Sequence, residues 1–162
     1  MKVKDLLPIA ERIGAILKQR KETIAVAESS SGGLIAASML SVGGASAYFL
    51  GGAVVYTRAG FLEYVTEQAM PKQGDGLQEG TALALARAIR DKRKSTWGIA
   101  EIGAAGPAGN RYGDPAGTSC IAVVGSAERS ATIRTGSDNR VANMRAFASG
   151  ALELLLNLIE AK

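Results

Sequence analysis

Residues 23–33 read Thr23-Ile24-Ala25-Val26-Ala27-Glu28-Ser29-Ser30-Ser31-Gly32-Gly33. The apolar residues at the start of this stretch predict a buried strand. The polar residues and paired glycines after them predict a tight loop that opens into a helix. The N-terminus of such a helix presents unpaired backbone N–H groups and a positive dipole, which suit an anion. Because three hydroxyls and one carboxylate share this loop, we expect it to carry chemistry.

The rest of the chain alternates between helical and strand patterns. The closely spaced strands near the C-terminus predict a hairpin, which makes the sheet mixed rather than all parallel. We therefore expect an α/β fold, a three-layer α/β/α sandwich with a mixed β-sheet, formed by residues 1–162 as a single domain. The predicted helices cover residues 3–20, 32–42, 77–90 and 138–160; the predicted strands cover 23–27, 48–56, 96–102, 118–124 and 130–135; residues 61–75 are irregular.

The composition is that of an ordinary globular protein, with 47% apolar and 21% charged residues. Since no apolar stretch approaches the roughly 20 residues that span a bilayer, we expect no membrane association. Residues 1–5 are not followed by the apolar core of a secretory signal, so a cytoplasmic location is the expectation.

Histidine is absent, and Cys120 is the single cysteine. This excludes serine–histidine and cysteine–histidine catalysis, histidine metal sites and an internal disulfide. No cluster of acidic residues indicates a metal site, and we expect no cofactor. Cys120 lies in a predicted strand, which favours a buried thiol over a reactive one. Aromatic residues make up 5% of the chain, so the basic run at residues 87–94 indicates a solvated helix end and no nucleic-acid partner.

Three glycine-rich segments, at residues 28–33, 51–60 and 103–117, each follow a predicted strand. In an open α/β sheet, loops at the carboxyl ends of the strands converge on the usual ligand crevice. The third segment has so little side chain around residues 103–109 that its backbone could approach a phosphate or a ribose closely. The spacing alone leaves open whether these loops bind a small molecule or nothing.

These segments resemble the motifs of the CinA C-terminal domain family. Residues 27–33 are similar to the family's A-E-S-C-T-G-G motif, with serine at both Ser30 and Ser31. The resemblance covers about residues 5–160. It continues, in chain order, through Gly44-Ala45-Ser46, Gly51-Gly52-Ala53-Val54-Val55-Tyr56-Thr57, Gly103-Ala104-Ala105-Gly106-Pro107, Gly117-Thr118 and the Asp138-Asn139-Arg140 stretch.

The family is one of nicotinamide mononucleotide deamidases, which hydrolyse a carboxamide to an acid and ammonia. The resemblance implies that Ser29 is the nucleophile, that Tyr56 is catalytic, and that the partner is a small-molecule nucleotide. It further implies that Arg140 meets the phosphate. A homo-oligomer is also expected, because helices rich in small residues offer flat packing faces. The implied substrate-binding residues are Glu28, Ser30, Ser31, Gly32, Gly33, Gly103, Ala104, Gly106 and Arg140.

The chain departs from the family pattern where a base is needed. The family's Y-S-N-E-A-K segment carries a lysine that corresponds to Phe61, and the threonine of T-G-I-A-G-P corresponds to Ile102. A serine amidase without histidine can use lysine as its base, whereas Arg58 stays protonated. Lys72 is the one other lysine near a motif loop. The leading hypothesis is an amidase that acts on nicotinamide mononucleotide or a related amide. A non-catalytic nucleotide-binding or regulatory paralogue is the alternative, and a structural oligomer partner is a third.

Two residues of the serine loop also have simpler interpretations. Ser29 is suited to be the N-cap of the helix predicted over residues 32–42, a role compatible with catalysis. Glu28, at the end of a strand, is suited either to ribose hydroxyls or to a surface cation. The sequence does not decide between these two roles.

Arg140 lies in the first turn of a predicted helix, where the dipole disfavours a cation. A ligand contact would explain this position, and so would an ion pair with Asp138 or Glu153. Arg111 and Asp114, in the long third loop, are expected to be solvated.

Overall fold

The computed structural model describes residues 5–162. Its helices and strands alternate as the hydrophobic pattern predicts. The helices are α1 (Leu7–Arg20), α2 (Leu34–Leu40), α3 (Arg58–Leu62), α4 (Glu79–Arg93) and α5 (Arg140–Glu160); the strands are β1 (Ile24–Glu28), β2 (Phe49–Val54), β3 (Trp97–Ala104), β4 (Thr118–Val124) and β5 (Glu128–Arg134); short 3-10 turns cover Ala45–Ala47 and Glu67–Ala69.

The five strands form one mixed sheet in the order β2-β1-β3-β4-β5. β1 pairs in parallel with β2 and β3, and the β3–β4 and β4–β5 pairs are antiparallel. Helices α1, α2 and α5 pack on one face of the sheet, and α3 and α4 pack on the other. The predicted three-layer sandwich and its terminal hairpin are confirmed.

Strand β1 is buried along its whole length and contributes to both cores. Ile24 and Val26 join the α1–α2–α5 side, while Ala25 and Ala27 join the α4 side. Successive strand side chains point to opposite faces, so Glu28 falls on the same face as Ile24. Fully burying each large aliphatic side chain contributes about 1.5–3 kcal/mol, so these two cores fix the register of the central strand.

The loops hold most of the differences from the predicted elements. Helix α2 begins at Leu34 rather than at residue 32, because Gly32 and Gly33 adopt φ values of +66° and +98°. Residues 61–75 are not wholly irregular: α3 begins after Thr57, whose hydroxyl accepts from the Gly60 N–H at 3.3 Å. Residues 3 and 4 of the first predicted helix lie outside the described residues.

Several other expectations concern the surface and composition. Cys120 is buried, and burial raises the pKa of its thiol. None of the helices in residues 5–162 combines the length and apolar character of a membrane span, and the same residues contain no cluster suited to a metal ion. Leu50 and Val54 are exposed on the edge strand β2. The homo-oligomer stays a prediction.

Candidate functional site

A cavity of about 420 Å³ opens where β1 and β3 end, and all three glycine-rich segments reach it. Ser29 comes from the first segment, Tyr56 from the second and Gly103 from the third. The first segment therefore meets the other two at the predicted edge of the sheet. The apolar part of the wall consists of Phe61, Met70, Pro71, Leu77 and Ile102.

Ser29 borders this cavity with its side chain free of protein partners. Its backbone N–H donates to the carbonyl oxygen of Glu101 at 3.0 Å and to Oε2 of the same residue at 3.1 Å. Its hydroxyl makes no hydrogen bond to any residue in the described part of the chain. The N-cap interpretation is wrong, because Gly33 is the N-cap of α2. The Ser29 hydroxyl is thus available to a ligand.

Glu101 organises the serine loop from beneath. It is fully buried on β3, and Ser31 donates to its Oε2 both from the backbone N–H and from the hydroxyl, each at 2.9 Å. Its Oε1 accepts from the hydroxyls of Ser30 and Ser119. Together with the Ser29 N–H, one carboxylate accepts five hydrogen bonds. The conformation of residues 29–31 therefore depends on a residue that the motif does not contain.

The Glu28 side chain accepts hydrogen bonds from backbone N–H groups in the first turn of helix α2. Its Oε1 accepts from the Ala36 N–H at 2.9 Å, and its Oε2 accepts from the Ile35 N–H at 3.1 Å and the Ser31 hydroxyl at 2.6 Å. The side chain is fully buried, so the surface ion pair is wrong and a ribose cannot reach it in this conformation. Burial raises the pKa of Glu28, the nearby Glu101 charge adds to that increase, and the three hydrogen bonds oppose it.

The Ser31 hydroxyl lies between the two buried carboxylates. It is within hydrogen-bond distance of Glu28 Oε2 and of Glu101 Oε2, yet a hydroxyl has a single proton to donate. Both contacts are satisfied when one carboxyl group is protonated and donates to Ser31. The raised pKa of Glu28 favours that carboxyl as the proton carrier. Both carboxylates therefore serve the loop and are turned away from the cavity.

Arg140 connects the second and third segments. As the first residue of α5, it donates to the carbonyl of Gly106 and to the Tyr56 hydroxyl, the latter at 2.9 Å. It forms no ion pair with Asp138 or Glu153 and does not border the cavity. The predicted phosphate contact stays a prediction, since both known partners of this guanidinium are protein oxygens.

Of the predicted residues of the third segment, only Gly103 reaches the cavity. Gly103 borders the cavity, and a Cβ there would lie 2.3 Å from Ser30 Oγ, which explains the glycine. At Gly106, with φ +107°, a Cβ would lie 2.7 Å from the Asp138 carbonyl oxygen. Ala104 is buried at the end of β3, where it pairs with Thr118. Ser29, Tyr56 and Gly103 are thus the predicted residues that the structure brings to the cavity.

The position of the family's lysine is occupied by an apolar wall. Phe61 is 9% exposed and Ile102 is 2% exposed, and both border the cavity. Among residues 5–162, no lysine and no carboxylate borders it. Arg58, the nearest cation in sequence, forms an ion pair with Glu67. The free Ser29 hydroxyl therefore has no basic side chain in this cavity to accept its proton.

Residues 110–112 form a part of the cavity wall that the sequence did not predict. Asn110 Oδ1 accepts from the backbone N–H groups of Tyr112 and Asp114, which closes a compact turn. Asp114 Oδ2 accepts from the Leu77 N–H at 2.8 Å, so the turn is fastened to the segment before α4. Asp114 is thus not simply solvated, and Arg111 is exposed but borders the cavity. The four-residue spacing between Asn110 and Asp114 was the available signal.

Comparisons with known proteins point to one family. The model of the CinA C-terminal domain matches residues 6–159. A CinA-like protein of Desulfosudis oleivorans is 36% identical over 152 residues, covering 92% of this chain and 37% of the relative. A CinA-like protein of Salinibacter ruber is 33% identical, covering 87% of this chain and 34% of the relative. The chain therefore spans about a third of the length of the curated relatives it matches.

Solved structures share the same architecture. The competence/damage inducible protein CihA of Agrobacterium tumefaciens superposes with a TM-score of 0.86 at 28% identity, covering 95% of each chain. A CinA superfamily protein of Escherichia coli superposes with a TM-score of 0.88 at 21% identity, covering 94% of this chain and 90% of that one. At that identity the second likeness concerns the fold alone.

Proposed function

We propose, on the premise that this chain belongs to the CinA C-terminal domain family, that its cavity binds a nucleotide of the nicotinamide mononucleotide type without hydrolysing its carboxamide. The observation that carries this proposal is the cavity wall: Ser29 presents a free hydroxyl, but Phe61 and Ile102 stand where the family pattern has a lysine and a threonine. The loops that would hold a ligand are kept, and the base is missing.

The chemistry of the wall suits a planar ring joined to an anionic group. Phe61, Ile102 and Leu77 offer apolar surface to the ring, and the Ser29 hydroxyl can hydrogen-bond a carboxamide. Arg58 and Arg111 place positive charge on the same wall, which suits a phosphate. An apolar ring site with a few convergent polar groups is the usual form of a small-molecule pocket.

Amide hydrolysis is the second candidate, because the Ser29 hydroxyl is free of protein partners and borders the cavity. In that reaction Ser29 Oγ would attack the carboxamide carbon and its proton would pass to a base. The base would give that proton to the amide nitrogen, which leaves as ammonia when the C–N bond breaks. Water would then release the acid from the serine ester. The first of these steps needs a proton acceptor, and the described cavity wall provides neither a lysine nor a carboxylate.

The two candidates separate in one set of measurements. Nicotinamide mononucleotide is titrated into the protein by calorimetry, and ammonia release is followed in parallel for the wild type and Ser29→Ala. We expect heat of binding without ammonia. Ammonia from the wild type that disappears in Ser29→Ala would establish the amidase instead. The absence of any binding would refute both candidates for this nucleotide.

A gain-of-function variant sharpens the comparison. Phe61→Lys places an amine on the wall that Ser29 borders, and Phe61→Leu is its matched apolar control. The apolar surroundings of Phe61 favour the neutral amine, which is the form able to accept a proton. We expect ammonia release to appear in Phe61→Lys, and more strongly with Ile102→Thr added, and to be absent in Phe61→Leu.

A further inference from the structure

A second cavity, of about 640 Å³, opens beside the first. The two cavities share a wall formed by Arg58, Met70, Pro71, Arg111 and Tyr112. The two cavities are therefore neighbours, which is the arrangement that one ligand with two ends requires. The second cavity adds residues 67–68 and 72–73 to this shared wall.

The second cavity is positively charged. Its wall carries Arg58, Lys72 and Arg111, against Glu67 as its single carboxylate. Glu67 forms an ion pair with Arg58, so its charge is already matched. Within residues 5–162, neither Lys72 nor Arg111 forms an ion pair. Two unmatched cations thus face one cavity, and an anion entering it gains from both.

The segments that carry these cations are fastened together before any ligand arrives. The Gly76 N–H donates to the Tyr112 carbonyl, and the Leu77 N–H donates to Asp114 Oδ2, both at 2.8 Å. Lys72 is the first residue of a turn closed by its own N–H, which donates to Asp75 Oδ2 at 3.1 Å. Because the backbone is already ordered, binding an anion costs chiefly the freedom of the side chains.

From this arrangement we infer that the second cavity is an anion subsite for the phosphate of an organic phosphate ester whose ring lies in the first cavity. The inference rests on the proposed function for the ring and on the charges of Lys72 and Arg111 for the phosphate. It places the phosphate away from Arg140, whose guanidinium bonds to Tyr56 and Gly106 and borders neither cavity.

The experiment compares a nucleotide with the nucleoside that lacks its phosphate, and both with a simple inorganic anion. Nicotinamide mononucleotide, nicotinamide riboside and inorganic pyrophosphate are each titrated into the wild type, Lys72→Gln/Arg111→Gln and Arg140→Gln. A control variant, Lys92→Gln/Arg129→Gln, removes the same charge at residues that border neither cavity. Thermal unfolding checks that each variant is folded, which exposed substitutions rarely prevent.

We expect Lys72→Gln/Arg111→Gln to weaken pyrophosphate and the mononucleotide by at least about tenfold, and the riboside by about twofold or less. The control variant and Arg140→Gln should retain wild-type affinity for pyrophosphate. If pyrophosphate binds and is weakened by Lys72→Gln/Arg111→Gln, but no nucleotide binds, the subsite is supported and the proposed function is refuted. If the mononucleotide binds more tightly than the riboside, and only Arg140→Gln removes that difference, the proposed function is supported and the subsite is refuted. No binding of any of the three ligands would refute both.

Discussion

Replacing Glu101 by alanine removes the acceptor on which the serine loop is built. Three of its five donors keep a second acceptor: the Ser29 N–H retains the carbonyl of residue 101, the Ser119 hydroxyl retains the Ile102 carbonyl, and the Ser31 hydroxyl retains Glu28. The Ser31 N–H and the Ser30 hydroxyl have no other acceptor in the described residues. Glu101→Ala therefore strands two buried donors.

The magnitude follows from those two donors. Each buried donor left unsatisfied costs about 1–3 kcal/mol. We expect a net loss of about 3 kcal/mol in the free energy of unfolding. That is a large fraction of the roughly 5–15 kcal/mol that stabilise a domain. For a chain of this length, the midpoint of thermal unfolding should fall by about 6–12 °C.

Glu101→Gln is the matched control. Its amide oxygen can take the Oε2 position, where it accepts from the N–H groups of Ser29 and Ser31. Its NH₂ group then takes the Oε1 position, facing the hydroxyls of Ser30 and Ser119, which can turn to accept. Backbone N–H groups cannot turn in this way. We expect Glu101→Gln to cost about 1 kcal/mol or less.

Urea unfolding monitored by circular dichroism measures the free energy of unfolding of both variants. Unchanged m-values would show that the substitutions do not alter the surface exposed on unfolding, so that the difference is one of stability. The reasoning fails if Glu101→Ala lies within about 1 kcal/mol of the wild type. It fails equally if glutamine and alanine cost the same, because the difference between hydroxyl and N–H donors would then be irrelevant.

Three further perturbations test separate parts of the site. Gly103→Ala should cost about 1–3 kcal/mol, since its Cβ would lie 2.3 Å from Ser30 Oγ, and adding Ser30→Ala should recover part of that loss in a double-mutant cycle; additive losses would contradict the contact. The raised pKa of Glu28 means that the folded state binds the proton of the Glu28 carboxyl more tightly than the unfolded state does. Protonated Glu28 therefore contributes to the free energy of unfolding, fully below pH 4.5, and this contribution is lost as the pH rises through the folded-state pKa. Urea unfolding as a function of pH should show that loss in the wild type relative to Glu28→Gln, and parallel curves would refute it. Asp114→Ala should weaken pyrophosphate binding several-fold by releasing the Leu77 N–H, although removing a negative charge alone predicts tighter binding; calorimetry decides between these opposite signs.

The sheet could be predicted because its signals are local. The apolar run of residues 24–27 predicted strand β1, and the short link between β4 and β5 predicted their antiparallel pairing. Each signal lies within a few residues, and the structure has both features. The start of α2 could not be placed in the same way. Its position depends on the positive φ values of Gly32 and Gly33, and on a cap that Glu28 supplies from seven residues before Ile35.

The site was harder to predict because its partners are distant in the chain. Glu101 contacts the serine loop across 70 residues, and nothing in its local sequence distinguishes it from an exposed strand residue. Arg111 reaches the cavity because the Asn110–Asp114 turn is fastened to Leu77, a contact that spans 37 residues. The sequence indicated which loops meet, whereas the side chains that meet depend on how the loops are held together.

The serine motif has a structural role that does not require catalysis. Its glutamate caps α2, its third serine joins the two buried carboxylates, and Gly103 leaves room for Ser30. All these contacts persist without a base near Ser29, so the motif can be present in a chain that does not hydrolyse its ligand. The motif therefore indicates the fold more strongly than the reaction. The evidence on the reaction lies in the cavity wall, where Phe61 occupies the position of the family's base and Ile102 the position of its threonine.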